Sequence, residues 1–182
     1  HLPLKERSML ESSEQLNNQA VRLAFKGEYP EAIACLKRAI IVEKENYLLW
    51  FNLALTYRDA GDFEAAKSSM EYALRLNRRN EDVIEALANL CISMQLFDDA
   101  MFYCITGLEV NDMNPHFWNT AGVIHFQIEE YVEAADFFEH AVSISPHYYD
   151  ALYNLRDTYE QIGNRTGLEE CNRKLEFFKG RK

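Results

Sequence analysis

One spacing governs this chain. Leu16, Trp50, Ile84, Trp118 and Leu152 follow one another at intervals of 34 residues, with no insertion or deletion between them. A period of that length, held over most of the sequence, is the signature of stacked supersecondary units rather than of one closed core. The register around it is helical. Three positions on stand Gln19, Leu53, Leu87, Ala121 and Leu155, and next to them Ala20, Ala54, Ala88, Gly122 and Arg156. Three further come Leu23, Tyr57, Cys91, His125 and Tyr159. Offsets of three, four and seven share one face of an α-helix, and a small residue in the middle of that face lets a neighbouring helix approach closely.

Punctuation and a second helix follow in every unit. The turn reads Gly27-Glu28-Tyr29, Gly61-Asp62-Phe63, Gln95-Leu96-Phe97, Glu129-Glu130-Tyr131 and Gly163-Asn164-Arg165. After it, Ala32, Ala66, Ala100, Ala134 and Leu168 open a second stripe. It runs through Leu36, Met70, Cys104, Phe138 and Asn172 to Ala39, Ala73, Gly107, Ala141 and Leu175. Each unit is therefore expected to be an antiparallel helical hairpin with an aromatic plug at its turn. A leader, residues 1–12, and a single domain, residues 13–182, account for the chain, the domain dividing into units 13–46, 47–80, 81–114, 115–148 and 149–182.

These residues resemble the tetratricopeptide repeat (TPR) family, whose pattern W-x2-L-G-x2-Y, A-x3-F and P is met most closely by two units. One carries Trp50, Leu53, Ala54, Tyr57, Ala66, Met70 and Ala73; the other carries Trp118, Ala121, Gly122, Ala134, Phe138, Ala141 and Pro146. The departures gather in the last unit, at Arg156, Arg165, Leu168 and Asn172. A terminal repeat has no following neighbour, so one of its faces must tolerate water. Thr166 and Glu169 read as a capping box opening a final helix with a single stripe, Leu168, Cys171, Leu175 and Phe178, and Gly180 as its stop. That helix is expected to serve as its own solvating cap. Ser12 with Gln15 reads as the capping box that opens the first unit.

The resemblance implies an all-α, right-handed superhelical solenoid whose first helices line a concave groove for partner peptides. The stripe at unit positions 2, 5, 9 and 12 then carries the recognition. It reads Asn17, Val21 and Ala24; Leu48, Phe51, Leu55 and Arg58; Asp82, Glu85, Asn89 and Ile92; His116, Asn119, Val123 and Phe126; and Asp150, Tyr153, Asp157 and Glu160. Apolar and aromatic residues fill its middle, the amides Asn17, Asn89 and Asn119 offer paired donors and acceptors, and its C-terminal end is acidic. Chaperone-binding members of the family grip a C-terminal carboxylate with cations on these helices. Here Arg58 is the single cation of the stripe, which argues against such a clamp. The competing reading is that several of these side chains pack against neighbouring helices and never meet a ligand.

Charge along the chain sharpens the picture of a partner. Residues 1–80 are nearly neutral, with 12 Lys/Arg against 11 Asp/Glu, whereas residues 81–164 carry Arg156 alone against 15 acids. Residues 165–182 return to net +3, and the whole chain to −10. A field of that sign repels phosphate backbones and anionic lipid, which excludes nucleic acid and membrane surfaces as principal partners and favours a basic one. No apolar run approaches the length of a membrane span.

Nothing in the sequence builds an enzyme. His116, His125, His140 and His147 lie in or beside the fourth unit, but no two share the spacing that sets metal ligands on one helical face. His125 takes the place of a core aromatic and reads as a hydrogen-bonded structural histidine. Glu129, Glu130 and Glu133 sit at a turn and helix start, where acids are favoured, and Asn164-Arg165-Thr166 is a turn with the form of a glycosylation acceptor. Cys35, Cys91, Cys104 and Cys171 show no metal spacing and fall on apolar stripes. Cys91 and Cys104 face each other in the third unit, but cations that would lower a thiol pKa are almost absent there. No metal or cofactor is expected. The sequence reads as a non-enzymatic scaffold binding a protein or peptide, with an apolar-ligand carrier or a self-assembling protein as the other readings. Unpaired thiols suggest the cytoplasm. An abrupt start at His1 also suits a bacterial envelope protein whose targeting segment has been removed.

Overall fold

The computed structural model describes residues 12–180, and of the expected leader only Ser12 lies within them. Ten helices alternate with short turns among the described residues: α1 (Ser13–Phe25), α2 (Tyr29–Val42), α3 (Tyr47–Asp59), α4 (Phe63–Leu76), α5 (Glu81–Ser93), α6 (Phe97–Val110), α7 (Pro115–Gln127), α8 (Tyr131–Ile144), α9 (Tyr149–Ile162) and α10 (Arg165–Lys179). They follow the 34-residue register, two helices to a repeat. The packing divides into two compact units, His1–Val83 and Ile84–Lys182.

Turn chemistry explains why each hairpin closes where it does. One or two residues after each first helix the backbone takes positive φ, at Gly27 (79°), Gly61 (87°), Gln95 (59°), Glu129 (64°) and Gly163 (74°). The next amide then donates five residues back, as from Glu28 to the Leu23 carbonyl at 2.9 Å and from Leu96 to the Cys91 carbonyl at 2.8 Å. This is the Schellman closure, and it satisfies a carbonyl the helix end would otherwise orphan. Gln95 and Glu129 adopt it with a Cβ in place, at a cost of about 1 kcal/mol each relative to glycine.

Helix starts are equally specified. Ser12 accepts from the Gln15 amide at 3.1 Å while the Gln15 side chain accepts from the Ser12 amide at 3.0 Å, the reciprocal box the sequence predicts. Asn46, Asp62, Asn114 and Asn164 cap α3, α4, α7 and α10 with their side-chain oxygens. The last of these corrects an expectation. Asn164 accepts from the Gly167 amide at 3.0 Å, so α10 begins at Arg165 and Thr166 lies inside its first turn rather than at a capping box.

In unit 1, α1 packs on α2, α2 on α3 and α3 on α4, and the two first helices α1 and α3 also touch. Leu16, Ala20, Ala32, Leu36, Ala39, Leu49 and Leu53 form its buried centre. In unit 2 the same order holds from α6 to α10, again with contact between the first helices α7 and α9. The indoles of Trp50 and Trp118 donate to the carbonyls of Lys44 and Asp112, at 2.8 and 2.7 Å, pinning α3 and α7 to the loops before them.

Close approach sets the size of every core partner. A Cβ at Gly122 would stand 2.6 Å from the Phe138 ring, and one at Gly107 only 2.4 Å from the ring of Phe117, both phenylalanines being fully buried. Elsewhere in the register the position of Gly107 is Ala39, Ala73 or Ala141, and that of Phe117 is Leu49, Val83 or Ala151. Glycine appears where the facing side chain is largest. Gly107→Ala should therefore lower stability by about 1–3 kcal/mol, the usual range for overpacking, with the helical content of the folded state unchanged. Urea unfolding followed by circular dichroism measures it, and a midpoint equal to the parent's would refute the packing.

Candidate functional site

First helices present their remaining face outward from the cores just described. In unit 1, Val21 and Leu48 are about half exposed, at 53% and 49%, Arg58 is exposed, and Phe51 and Leu55 are half-buried. Asn17 accepts from the Asn52 side chain at 2.9 Å, a bond that ties α1 to α3. The guanidinium of Arg58 is bound to Asp59 on its own helix, at 3.0 Å. The single cation of the stripe is thus already partly neutralised.

In unit 2, three of the sequence-predicted residues converge. Val123, Phe126 and Asp157, with Gln127, Phe138 and Asn154, line a hollow of about 180 Å³ between α7 and α9. The Phe126 ring meets Tyr131 edge-on at 5.1 Å, which holds it on the rim. Asp157 takes both Nε and Nη2 of Arg156, at 3.1 and 3.0 Å, while that guanidinium lies 5.0 Å from the Tyr153 ring centroid. Tyr153 is half-buried, Glu160 exposed, Asn89 exposed and Ile92 half-buried.

Asn119 departs from the expectation of a free amide. It is only 9% exposed, accepts from Asn154 at 3.1 Å and donates to the Tyr148 hydroxyl at 3.2 Å. Its polar ends are spent inside the protein. Tyr148 also meets His116 Nδ1 at 3.0 Å, and the same nitrogen lies 3.4 Å from Glu85. Burial first, and then the charges of Glu85 and Asp150, push the Tyr148 phenol up to about 12, so it stays a neutral hydrogen-bonding hub. The stripe by itself missed Tyr148, Asn154 and Gln127. One signal was readable: Asn52 and Asn154 share a unit position, and each follows a repeat with Asn one position earlier, Asn17 and Asn119.

Other candidates resolve into structure. His125 is half-buried, bonded to Glu130 at 2.7 Å and stacked on Phe137. All four cysteines are free and buried. Burial, with Cys91 beside it, pushes the Cys104 thiol up to about 12, and burial pushes Cys171 up to about 11. Among the described residues no group of three or more His, Cys, Asp or Glu is placed to hold a metal ion. No helix among them is long and apolar enough to cross a membrane.

Comparison with known proteins agrees with this geometry. Three family models described as tetratricopeptide repeat match residues 17–81, 57–122 and 115–148. The chain is 27% identical over 131 residues to "Tetratricopeptide repeat protein 8" of Caenorhabditis elegans, covering 71% of this chain and 26% of that protein, so it spans about a quarter of that relative's length. Among solved structures, that of MamA superposes with a TM-score of 0.78 at 20% identity, over 89% of this chain and 95% of the other. YrrB, titled a TPR protein with an unusual peptide-binding site, superposes at 0.68 with 22% identity, over 90% and 84%.

Two measurements check the site. Asn119→Ala leaves Asn154 and Tyr148 short of a buried partner and should cost about 1–3 kcal/mol of stability; an unfolding midpoint equal to the parent's would return Asn119 to the role of a ligand contact. A chromogenic disulfide reagent at about pH 8 should find the native thiols almost inert and all four reactive in denaturant, because all four are buried and the raised pKa leaves Cys104 and Cys171 with little thiolate. Fast native reaction of Cys91 or Cys104 would restore a redox role.

Proposed function

The chain belongs to the tetratricopeptide repeat family, and from that premise we propose that it is a non-enzymatic docking module whose first-helix face takes a protein segment with an apolar anchor and neighbouring positive charge. TPR proteins mediate protein–protein interactions, and YrrB, which shares this fold, is described by its peptide-binding site. The observation that carries the reading is the hollow of about 180 Å³ framed by Val123, Phe126 and Asp157. Val123, Phe126 and Phe138 give it an apolar side and Gln127, Asn154 and Asp157 a polar one, and first-helix residues from two consecutive repeats contribute to both. That combination suits one side chain of a segment lying across the helices. The hollow is smaller than the ~300–1,000 Å³ typical of pockets that enclose a whole small molecule, so it suits one side chain rather than a carried ligand.

Electrostatics sets the sign of the partner. Acids dominate residues 81–164, and Arg156, the one base there, is already bound to Asp157. Glu85, Asp157 and Glu160 would therefore meet Lys or Arg beside the anchor, while Asn89 and Ile92 extend the contact along α5. In unit 1 the stripe of Asn17, Val21, Leu48, Phe51, Leu55 and Arg58 is more apolar and nearly neutral, so taken by itself it offers an apolar contact without steering charge.

A displayed peptide library panned on the purified chain tests the proposal. Enriched sequences should share a large apolar residue next to Lys or Arg. Binding of a selected peptide should fall at least about tenfold in Phe126→Ala, several-fold in Asp157→Asn, and steadily with added salt, since exposed charge pairs are screened. Peptides that bind Phe126→Ala as well as the parent would place recognition elsewhere.

A further inference from the structure

Unit 1 carries a second surface, distinct from the first-helix stripe. Between α2 and α4, over α3, lies an open apolar cleft of about 380 Å³ walled by Ile40, Ile41, Trp50, Leu53 and Tyr57, with Lys37 at its edge. Ile41 is 82% exposed, an unusual cost for a β-branched aliphatic side chain on a surface. One cation, Lys37, lines the cleft, and a second, Arg75, stands behind the Tyr72–Trp50 ring pair. The Lys37 ammonium lies 5.9 Å from the Tyr57 ring centroid, and the Arg75 guanidinium 4.9 Å from that of Tyr72, whose ring packs 4.2 Å from Trp50. Neither Lys37 nor Arg75 has a carboxylate partner among the described residues.

The cationic rim is not a property of the repeat. Three repeats on, the equivalent cleft of unit 2 puts Glu139 where Lys37 stands and Glu170 where Ser68 stands. The unit 1 cleft therefore selects an apolar segment flanked by acids, the opposite of what the first-helix hollow selects. Such a segment exists on this chain. The outer face of α6 presents Asp98, Phe102, Ile105 and Glu109 at successive helical offsets, with Phe102 63% and Ile105 51% exposed.

We propose that α6 of one copy docks in the unit 1 cleft of a second copy, Phe102 and Ile105 filling it while Asp98 and Glu109 face Lys37 and Arg75. The two surfaces differ, so the contact is heterologous and propagates into chains or closes into rings. A contact made by one helix face is small, which sets the expected association in the micromolar range or weaker.

Analytical ultracentrifugation of the full chain with two exposed-site variants, Ile41→Asp in the cleft and Phe102→Asp on the helix, tests this. The parent should rise above its 21.2 kDa monomer mass with concentration and fall back towards it in about 0.5 M salt. Each variant alone should stay monomeric with unchanged thermal unfolding. An equimolar mixture should give a species that stops at a dimer, because one intact cleft then meets one intact helix face. A parent that is monomeric at every concentration, a variant that still associates, or a mixture without dimers would overturn the proposal. A monomeric parent that binds an acid-flanked apolar peptide of unrelated sequence would overturn it too, assigning the cleft to another protein. Loss of library peptides in Phe126→Ala is read independently, since Phe126 lies outside both surfaces.

Discussion

The structure depends on how closely two helices can lie against each other. At the middle of four first helices a small residue faces the second helix of its own repeat, Ala20 with Leu36, Ala54 with Met70, Ala88 with Cys104 and Gly122 with Phe138 by register, and the glycine contact shows how little room remains. Interiors packed to crystal-like density transmit such a constraint outward. Once the small residue fixes the distance, the turn length, the side on which the next repeat lands and the stripe left facing solvent all follow. The last repeat breaks the pairing with Arg156 and Asn172, and there Arg156 turns away to Asp157 and Tyr153 instead of entering a core.

Repetition of a constraint does not make the surfaces alike. The turn at each hairpin demands the same left-handed backbone, yet two of five turns supply it with Gln95 and Glu129. The clefts between second helices recur three repeats apart with different charges in their lining, Lys37 in one and Glu139, Glu170 and Lys174 in the other. Selection on a solenoid acts on residues the core does not use, and in this chain those residues separate an acidic first-helix face from a cationic, apolar cleft. The fold is a frame for such differences, and function is argued from them rather than from the frame.

Much of this was legible in the sequence. The period of 34, the small and large positions, the aromatic plugs and the Ser12–Gln15 box are all local or periodic signals, and helix geometry converts them directly into faces and ends. The stripe of candidate contacts was read from the same geometry, and Val123, Phe126 and Asp157 do come together. Asn119 lies on that stripe and is nevertheless buried, because periodicity says which way a side chain leaves its helix and not what meets it there. Its partners, Asn154 and Tyr148, come from the following repeat and the loop before it. At α10 the reading of Thr166 as the cap fails, because it is Asn164 that sits where the free amide of Gly167 points.

The sequence alone determined the all-α repeat architecture and the division of charge, since each depends on spacing or composition along one chain. Tertiary structure decided which amides are spent internally, that all four thiols are buried, where a hollow opens between α7 and α9, and that Lys37 lies over the Tyr57 ring at an apolar cleft. Those facts depend on distances between residues some 20 to 35 positions apart, the separations of Tyr57 from Lys37 and of Asn154 from Asn119. A period fixes which residues occupy equivalent places. Only the packed helices fix which of them touch.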